Sequence, residues 1–291
     1  MYMNFMRILL TGGAGFIGLQ WCNRLVSKGH SVVVLDNLSA NPKPDFPKGV
    51  IFIKGDICKP SDIENAFSHG PFDRIDHLAA DPHVKESAER PLENFQNNVV
   101  GTLNMLEACR KHNVPSFLFT STSTVYGRAK VIPTPEDAPF LPISNYGASK
   151  AAAECYIMSY AHTYGFRAYI LRLANITGPT SMHGVIPDFK RKLAANPREL
   201  EILGDGTQKK SYLDINICLS AFEKILRVSK EQVSIFNIGA ARQMTVTQIA
   251  DMVVKQMKLS PAPKYKFSGK MRGGWKGDVE EFLLDVTKME S

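Results

Sequence analysis

Short, mostly apolar runs recur along the first two-thirds of the chain, separated by longer stretches in which apolar positions return every three or four residues. Residues 6–10, 32–35, 50–53, 75–80, 117–121 and 169–173 have the length and continuity of strands buried on both faces. Between them, 97–112 and 147–164 carry helical periodicity, and so does the amphipathic segment that runs through Lys28. This alternation predicts an α/β chain with a doubly wound parallel sheet. Near Asn175 the pattern changes: Gly178-Pro179 punctuates the chain, and the loops become longer and more polar. Residues 1–174 are therefore expected to form the sheet domain, with 211–240 returning to it through a strand at 235–238. Residues 175–210 and 241–291 are expected to form a smaller α/β substrate-binding region. No internal repeat or low-complexity tract interrupts this organisation.

The first strand runs into Thr11-Gly12-Gly13-Ala14-Gly15-Phe16-Ile17-Gly18, and a helical pattern follows. Strand, glycine turn and helix in that order let a diphosphate lie against a helix N-terminus, because Gly12 and Gly15 keep side chains out of its way. Gly18 allows close helix–strand packing. The second strand ends in Asp36, where a carboxylate can accept hydrogen bonds from an adenosine ribose. The spacing predicts a dinucleotide site on a Rossmann fold. A tight turn without a ligand would show the same glycines, but the absence of a Gly-Lys-Ser/Thr ending disfavours a mononucleotide loop. Asp36 would repel a 2′-phosphate and no Arg follows in Asn37-Leu38-Ser39, so NAD is expected over NADP.

Composition narrows the class further. The chain has 291 residues, of which 44% are hydrophobic and 22% charged, ordinary values for a soluble globular enzyme. Its five cysteines, Cys22, Cys58, Cys109, Cys155 and Cys218, are scattered without the close spacing of a zinc site or redox dithiol. They are expected to be reduced, in a cytoplasmic protein without a membrane span. The formal charge of +7 raises the possibility of nucleic-acid binding, but cations and acids are interspersed along most of the chain. A solvated basic surface or an anionic small substrate accounts for it.

Candidate chemistry centres on Tyr146-Gly147-Ala148-Ser149-Lys150. At the start of a helix, residues four apart share one face, so an ammonium at Lys150 can sit beside the Tyr146 phenol and favour its phenolate as a general base. Tyr126 and Lys130 repeat the spacing, but Pro133 and Pro135 argue against a helix there. The strand at 117–119 ends in Thr120-Ser121-Thr122-Ser123-Thr124, a hydroxyl cluster at the strand end where open parallel sheets bind ligands. Each hydroxyl could equally serve a turn. His77 and His83 lie outside any metal-ligand spacing.

Taken together, residues 11–18, His77-Leu78-Ala79-Ala80, Asn98-Val-Val-Gly-Thr102, 121–127, 146–150 and Leu171-Arg-Leu-Ala-Asn175 resemble the extended short-chain dehydrogenase/reductases, and within them the nucleotide-sugar 4-epimerases. Residues 184–186, 203–213 and 274–278 extend the resemblance over nearly the whole chain. The resemblance implies NAD-dependent UDP-glucose/UDP-galactose 4-epimerisation, a place in galactose metabolism, and a homodimer formed through 92–111 and 148–161. It implies that Tyr146 removes the 4-hydroxyl proton, that Thr122 holds that oxygen, and that Lys150 lowers the Tyr146 pKa and bonds the nicotinamide ribose.

The same resemblance implies a cofactor set of Gly12, Gly15, Phe16, Ile17, Asp36, Asn37, Leu38, Ser39, Asp56, Ile57, Leu78, Ala79, Ala80, Asn98, Ser121, Tyr146 and Lys150. On the substrate it implies Thr122, Asn175, Val185, Lys210, Arg272 and Phe282. Lys210 stands where Arg is usual, and Arg272 could equally be a solvated loop cation. Phe282 either closes the hexose pocket or is an ordinary buried aromatic. Ser123 and Thr124 stand where 4,6-dehydratases carry an Asp-Glu pair, which disfavours dehydration. Two rivals remain: action on another nucleotide sugar, and a non-catalytic NAD-sensing or RNA-binding protein.

Overall fold

In the computed structural model, which describes residues 5–181, 184–269, 274–275 and 277–290, the apolar runs become the strands of one parallel sheet. The chain first forms β1 (Arg7–Thr11), α1 (Phe16–Ser27), β2 (Ser31–Asp36), β3 (Ile51–Lys54), α2 (Pro60–Phe67), β4 (Arg74–His77), α3 (Pro91–Phe95), α4 (Gly101–Lys111), β5 (Ser116–Thr122), α5 (Asn145–Tyr164) and β6 (Arg167–Leu173). There follow β7 (Asn175–Thr177), α6 (Val185–Ala195), β8 (Glu199–Ile202), β9 (Lys209–Asp214), α7 (Ile215–Val228), β10 (Val233–Ile238), β11 (Gln243–Thr245), α8 (Val246–Gln256), β12 (Lys264–Phe267) and α9 (Thr287–Glu290). The main sheet has the order β10-β6-β5-β4-β1-β2-β3, so the direction of winding reverses between β1 and β4 and opens a crevice at their carboxyl ends.

Alternate residues of each strand face opposite layers. On one side Leu9, Val33, Ile75, Phe117 and Ile170 pack with Ile63, Leu106 and Ile157 of α2, α4 and α5. On the other, Ile8, Leu10, Val34, Leu118 and Leu171 pack with Trp21 and Phe222 of α1 and α7. Each such side chain contributes about 1.5–3 kcal/mol when fully buried, so this double-faced core fixes the strand ends that carry the site.

Three boundaries differ from expectation. β4 ends at His77, and Leu78-Ala79-Ala80 leave the sheet as a loop whose first amide, Leu78 N–H, still donates to the Thr11 carbonyl at 3.1 Å. The helix expected at 97–112 begins at Pro91: α3, a π-helical turn (Gln96–Val100) and α4 follow without a break. The return to the main sheet starts with α7 instead of residue 211. β9 pairs with β7 and β11 in a separate three-stranded sheet, and its alternating burial suits a one-faced strand better than the centre of a doubly covered sheet. β8 and β12 form a further parallel pair, and α6 and α8 cover a small core of Phe189, Leu193, Leu200, Ile202, Ile249 and Val253.

Candidate active site

The crevice between β1 and β4 is built to take a diphosphate. Gly12 adopts φ +71°, and a Cβ there would stand 2.5 Å from the Ala79 backbone nitrogen. A Cβ at Gly18 would meet the Gly12 carbonyl oxygen at 2.0 Å, which explains the tight helix–strand approach. Gly15 caps α1 without a side-chain acceptor, and the first turn of that helix holds no acidic residue, so the amides around Phe16 and Ile17 remain suited to an anion.

Asp36, at the end of β2, accepts from Ala14 N–H at 3.0 Å and Leu38 N–H at 2.7 Å, tying the second loop to the glycine turn. Leu38 takes a positive φ of 65°, and Asn37 closes an Asx turn on Ser39 N–H at 3.0 Å. Asp56 holds Cys58 N–H at 2.8 Å beyond β3, with Ile57 packed against Gly101. These features fit an adenine dinucleotide, with the cradle backbone toward the diphosphate and Asp36 at the ribose end.

Tyr146 and Lys150 lie in the first turns of α5, which starts here because the Ser144 hydroxyl caps Gly147 N–H at 3.0 Å. The Ser87 hydroxyl accepts from Tyr146 N–H at 3.1 Å, and Asn145 donates to the Ser87 carbonyl at 2.8 Å, so the loop after β4 clamps the helix entrance. Burial pushes the Tyr146 phenol up to about 12, a hydrogen bond with Thr122 opposes the rise, and the Asp81 carboxylate adds to it. Lys150 stands one helical turn further along α5. Its ammonium lies 3.9 Å from the centre of the Phe119 ring. Burial lowers its pKa to about 7, against the pull of Glu154.

Thr122 is the last residue of β5, and its hydroxyl caps the following turn at Thr124 N–H, 3.2 Å away. The neighbouring Ser121 hydroxyl donates to Glu154 beneath the site. Glu154 also holds Arg172 at 2.8 Å, and Arg172 in turn donates to the Tyr126 hydroxyl at 2.7 Å. Tyr126 donates to Asn237 at 2.8 Å, so the competing tyrosine is a buried structural member of this network. Asn98, in the π-helical turn, accepts from Asp81 N–H at 2.8 Å and donates to the Asp81 carbonyl and the Ser149 hydroxyl. Its amide is thus a brace for the loop beyond Ala80.

Sequence reasoning gave no role to Asp81, Ser87, Glu154 or Arg172. Only Glu154 left a usable signal, one helical turn beyond Lys150. His77 sits between the hydroxyls of Thr11 and Thr102 at 2.7 and 3.0 Å, and burial and Lys150 lower its pKa to about 3. Among the described residues no three His, Cys, Asp or Glu side chains gather around a possible metal.

The expected substrate residues are spread more widely. Asn175 lies half-buried on β7, opposite Tyr212 of β9, and Val185 opens α6 after Gly184. Lys210 on β9 is bound to Asp278 at 2.5 Å, which also accepts from Gly274 N–H at 2.9 Å. Phe282 is 8% exposed and packs with Val125, Tyr126, Ala151 and Leu284 outside any strand. Arg272 lies outside the described residues.

Residues 8–239 match the model of the NAD dependent epimerase/dehydratase family. A UDP-glucose 4-epimerase of Corynebacterium glutamicum is 32% identical over 264 residues, covering 85% of this chain and 79% of that protein. The crystal structure of a UDP-galactose 4-epimerase superposes with a TM-score of 0.87 at 38% identity, covering 98% of this chain and 90% of that one. A Thermus thermophilus UDP-glucose 4-epimerase in complex with NAD gives 0.88 at 34%, covering 98% and 92%. With the reversed winding at β1 and β4, the glycine cradle and Tyr146 at the head of α5, this match means that the chain belongs to the NAD-dependent epimerase/dehydratase family.

Proposed function

We propose that this protein interconverts UDP-glucose and UDP-galactose through a transient 4-keto sugar. The observation that carries the reading is the Tyr146 phenol hydrogen-bonded to Thr122 at the carboxyl end of β5, with Lys150 buried one turn on. Bound NAD supplies the hydride acceptor at the sugar C4 and, when oxidised, a positive charge that favours the phenolate. Tyr146 would take the O4 proton as the carbonyl forms and give it back when the alcohol is formed again. Thr122 holds the same oxygen in both directions. Lys150 would hold the nicotinamide ribose, with burial lowering its pKa to about 7 so that it can give up its proton near neutral pH.

By the resemblance, Asn175, Val185, Lys210 and Phe282 would contact the UDP-sugar, and Arg272, which lies outside the described residues, would meet its diphosphate. Dehydration is disfavoured because it needs an extra acid and base, whereas the residues after Thr122 are Ser123 and Thr124, the latter bonded to Thr122 at 3.1 Å. The exposed apolar side chains Leu92, Phe95 and Tyr156 on α3 and α5 (82%, 51% and 45%) support a homodimer through these helices.

NMR of the NAD-loaded protein with a panel of UDP-hexoses tests the reading. UDP-glucose and UDP-galactose should reach the same mixture from either side, without net reduction of NAD. Turnover of a different hexose pair alone, or stoichiometric NADH, would overturn it.

A further inference from the structure

The first turn of α5 leaves a donor that its own helix cannot satisfy. The Ser144 hydroxyl caps Gly147 N–H at 3.0 Å, and the helix ladder begins with Ala148 N–H on the Ser144 carbonyl at 3.0 Å. Tyr146 N–H lies before both, and it finds its acceptor 59 residues away, in the Ser87 hydroxyl at 3.1 Å. That hydroxyl has a single proton and donates it to the Val84 carbonyl at 2.7 Å, so toward Tyr146 it can only accept. The Ser87 carbonyl takes a second bond from the same turn, from the Asn145 side chain at 2.8 Å.

Ser87 is itself held fast. It is buried, its N–H donates to the His83 carbonyl at 2.9 Å, and the turn around it closes with Ala88 N–H on the Lys85 carbonyl at 3.2 Å and Arg90 N–H on the Glu86 carbonyl at 3.0 Å. Upstream, the loop springs from the wall of the glycine cradle, where Ala79 N–H donates to the Thr11 hydroxyl at 3.3 Å. Downstream, Asn94 of α3 accepts from the Ser149 hydroxyl at 2.9 Å. Ser87 thus reaches the backbone of Tyr146 from a frame fastened at both ends.

We propose that Ser87 is a positioning residue for the Tyr146 phenol. The proposal rests on the epimerase reading for one point, that Tyr146 moves the proton of the reacting hydroxyl. A tyrosine side chain is a long lever, so a slight tilt or fraying of the first helical turn is magnified at its oxygen. A reacting group displaced by about 1 Å can lose about 10²-fold in rate. Removing the Ser87 hydroxyl leaves Tyr146 N–H without its acceptor, which loosens the helix start as the loss of an N-cap does. Because that hydroxyl spends its proton on Val84 and accepts from Tyr146, its loss acts on the rate and not on affinity.

Steady-state kinetics and amide hydrogen exchange on the NAD-loaded protein test this. Ser87→Ala should lower kcat about 10- to 100-fold, while KM for the UDP-hexose and the affinity for NAD stay within about twofold. Ser87→Thr, which keeps the hydroxyl, should stay within about threefold of the unmutated kcat. In Ser87→Ala, exchange should quicken about tenfold at Tyr146 N–H and stay unchanged at Ala151 and Ala153, deeper in the helix. A kcat within about twofold in Ser87→Ala, an equal loss in Ser87→Thr, or unaltered exchange at Tyr146 would overturn the proposal. Should Ser87→Ala fail to fold, Ser87→Cys, which fills the same space with a weak acceptor, must show the same split of kcat against KM. Turnover of a different hexose by the unmutated protein counts against the UDP-glucose reading alone, because the rate ratio on that sugar and the exchange at Tyr146 still judge Ser87.

Discussion

The head of α5 buries a lysine and β9 half-buries another, and the two are treated in opposite ways. Lys150 is 2% exposed and lies over Phe119, while the nearest carboxylate on its own helix, Glu154, is committed to Arg172 and Ser121. Lys210 has a carboxylate of its own, with Asp278 Oδ1 2.5 Å from its ammonium and only 4% of the aspartate side chain exposed. A buried cation whose counter-charge is already engaged loses its proton easily, and the Lys150 pKa falls to about 7. A buried cation with a dedicated partner is compensated where it stands, and fastens two segments together. Lys150 is thus poised for chemistry, and Lys210 is first of all a latch between β9 and residues 274–278.

The largest effect should come from the tyrosine that Lys150 accompanies. Tyr146→Phe removes the group proposed to take the O4 proton, and turnover should fall by at least about 10⁴-fold, the upper end for a single acid–base group, while NAD remains bound. A rate within tenfold of the unmutated protein would break the contrast, because the head of α5 would then have no chemical role.

Next comes the ion pair that leaves Lys150 without a dedicated partner. Glu154→Ala strands Arg172, whose side chain is 3% exposed, and should cost about 3–5 kcal/mol in denaturant unfolding. Glu154→Gln keeps the shape and two of the hydrogen-bonding oxygen's roles, so it should cost less. Equal losses in the two variants would mean that charge alone, and not packing, is what Glu154 supplies.

The cofactor half of this comparison was readable in the sequence because its chemistry is written in contiguous residues. Gly12, Gly15 and Gly18 answer to backbone approach, Asp36 terminates a strand, and Tyr146 and Lys150 share a helical turn. The network under the site escaped notice because it joins residues that local pattern cannot connect: Ser121, Glu154 and Arg172 come from three elements, and Asp81 lies in a loop of no regular period. The substrate side was least legible. β9 alternates as a one-faced strand, but nothing local shows that its partners are β7 and β11, nor that Lys210 meets a carboxylate 68 residues on.

A third test uses the sign of the pH dependence. The Lys150 pKa is lowered on folding, from 10.5 to about 7, so between those values the unfolded chain binds more protons than the folded one and stability rises with pH across that window. Below about pH 7 the penalty of burying the charge is present in full. Lys150→Met removes it, and should raise stability at pH 6–7 by about 2–4 kcal/mol while flattening the rise toward pH 10. A lower melting temperature in Lys150→Met at pH 6.5 would show that the ammonium is stabilised by its surroundings after all.

The smallest effect should belong to Lys210, and it should have the opposite sign in stability. Lys210→Met leaves Asp278 buried beside an apolar side chain, with Gly274 N–H as its remaining partner among the described residues, so the variant should lose about 1–3 kcal/mol where Lys150→Met gains. Its effect on UDP binding should be less than about tenfold, because a point charge already compensated by a carboxylate adds little field at a diphosphate and offers no bidentate fork. Titration of UDP into both proteins at low and high salt checks this. A loss above a hundredfold that shrinks with salt would mean that Lys210 exchanges Asp278 for phosphate on binding. The latch would then be a switch, and the two lysines would differ in timing more than in kind.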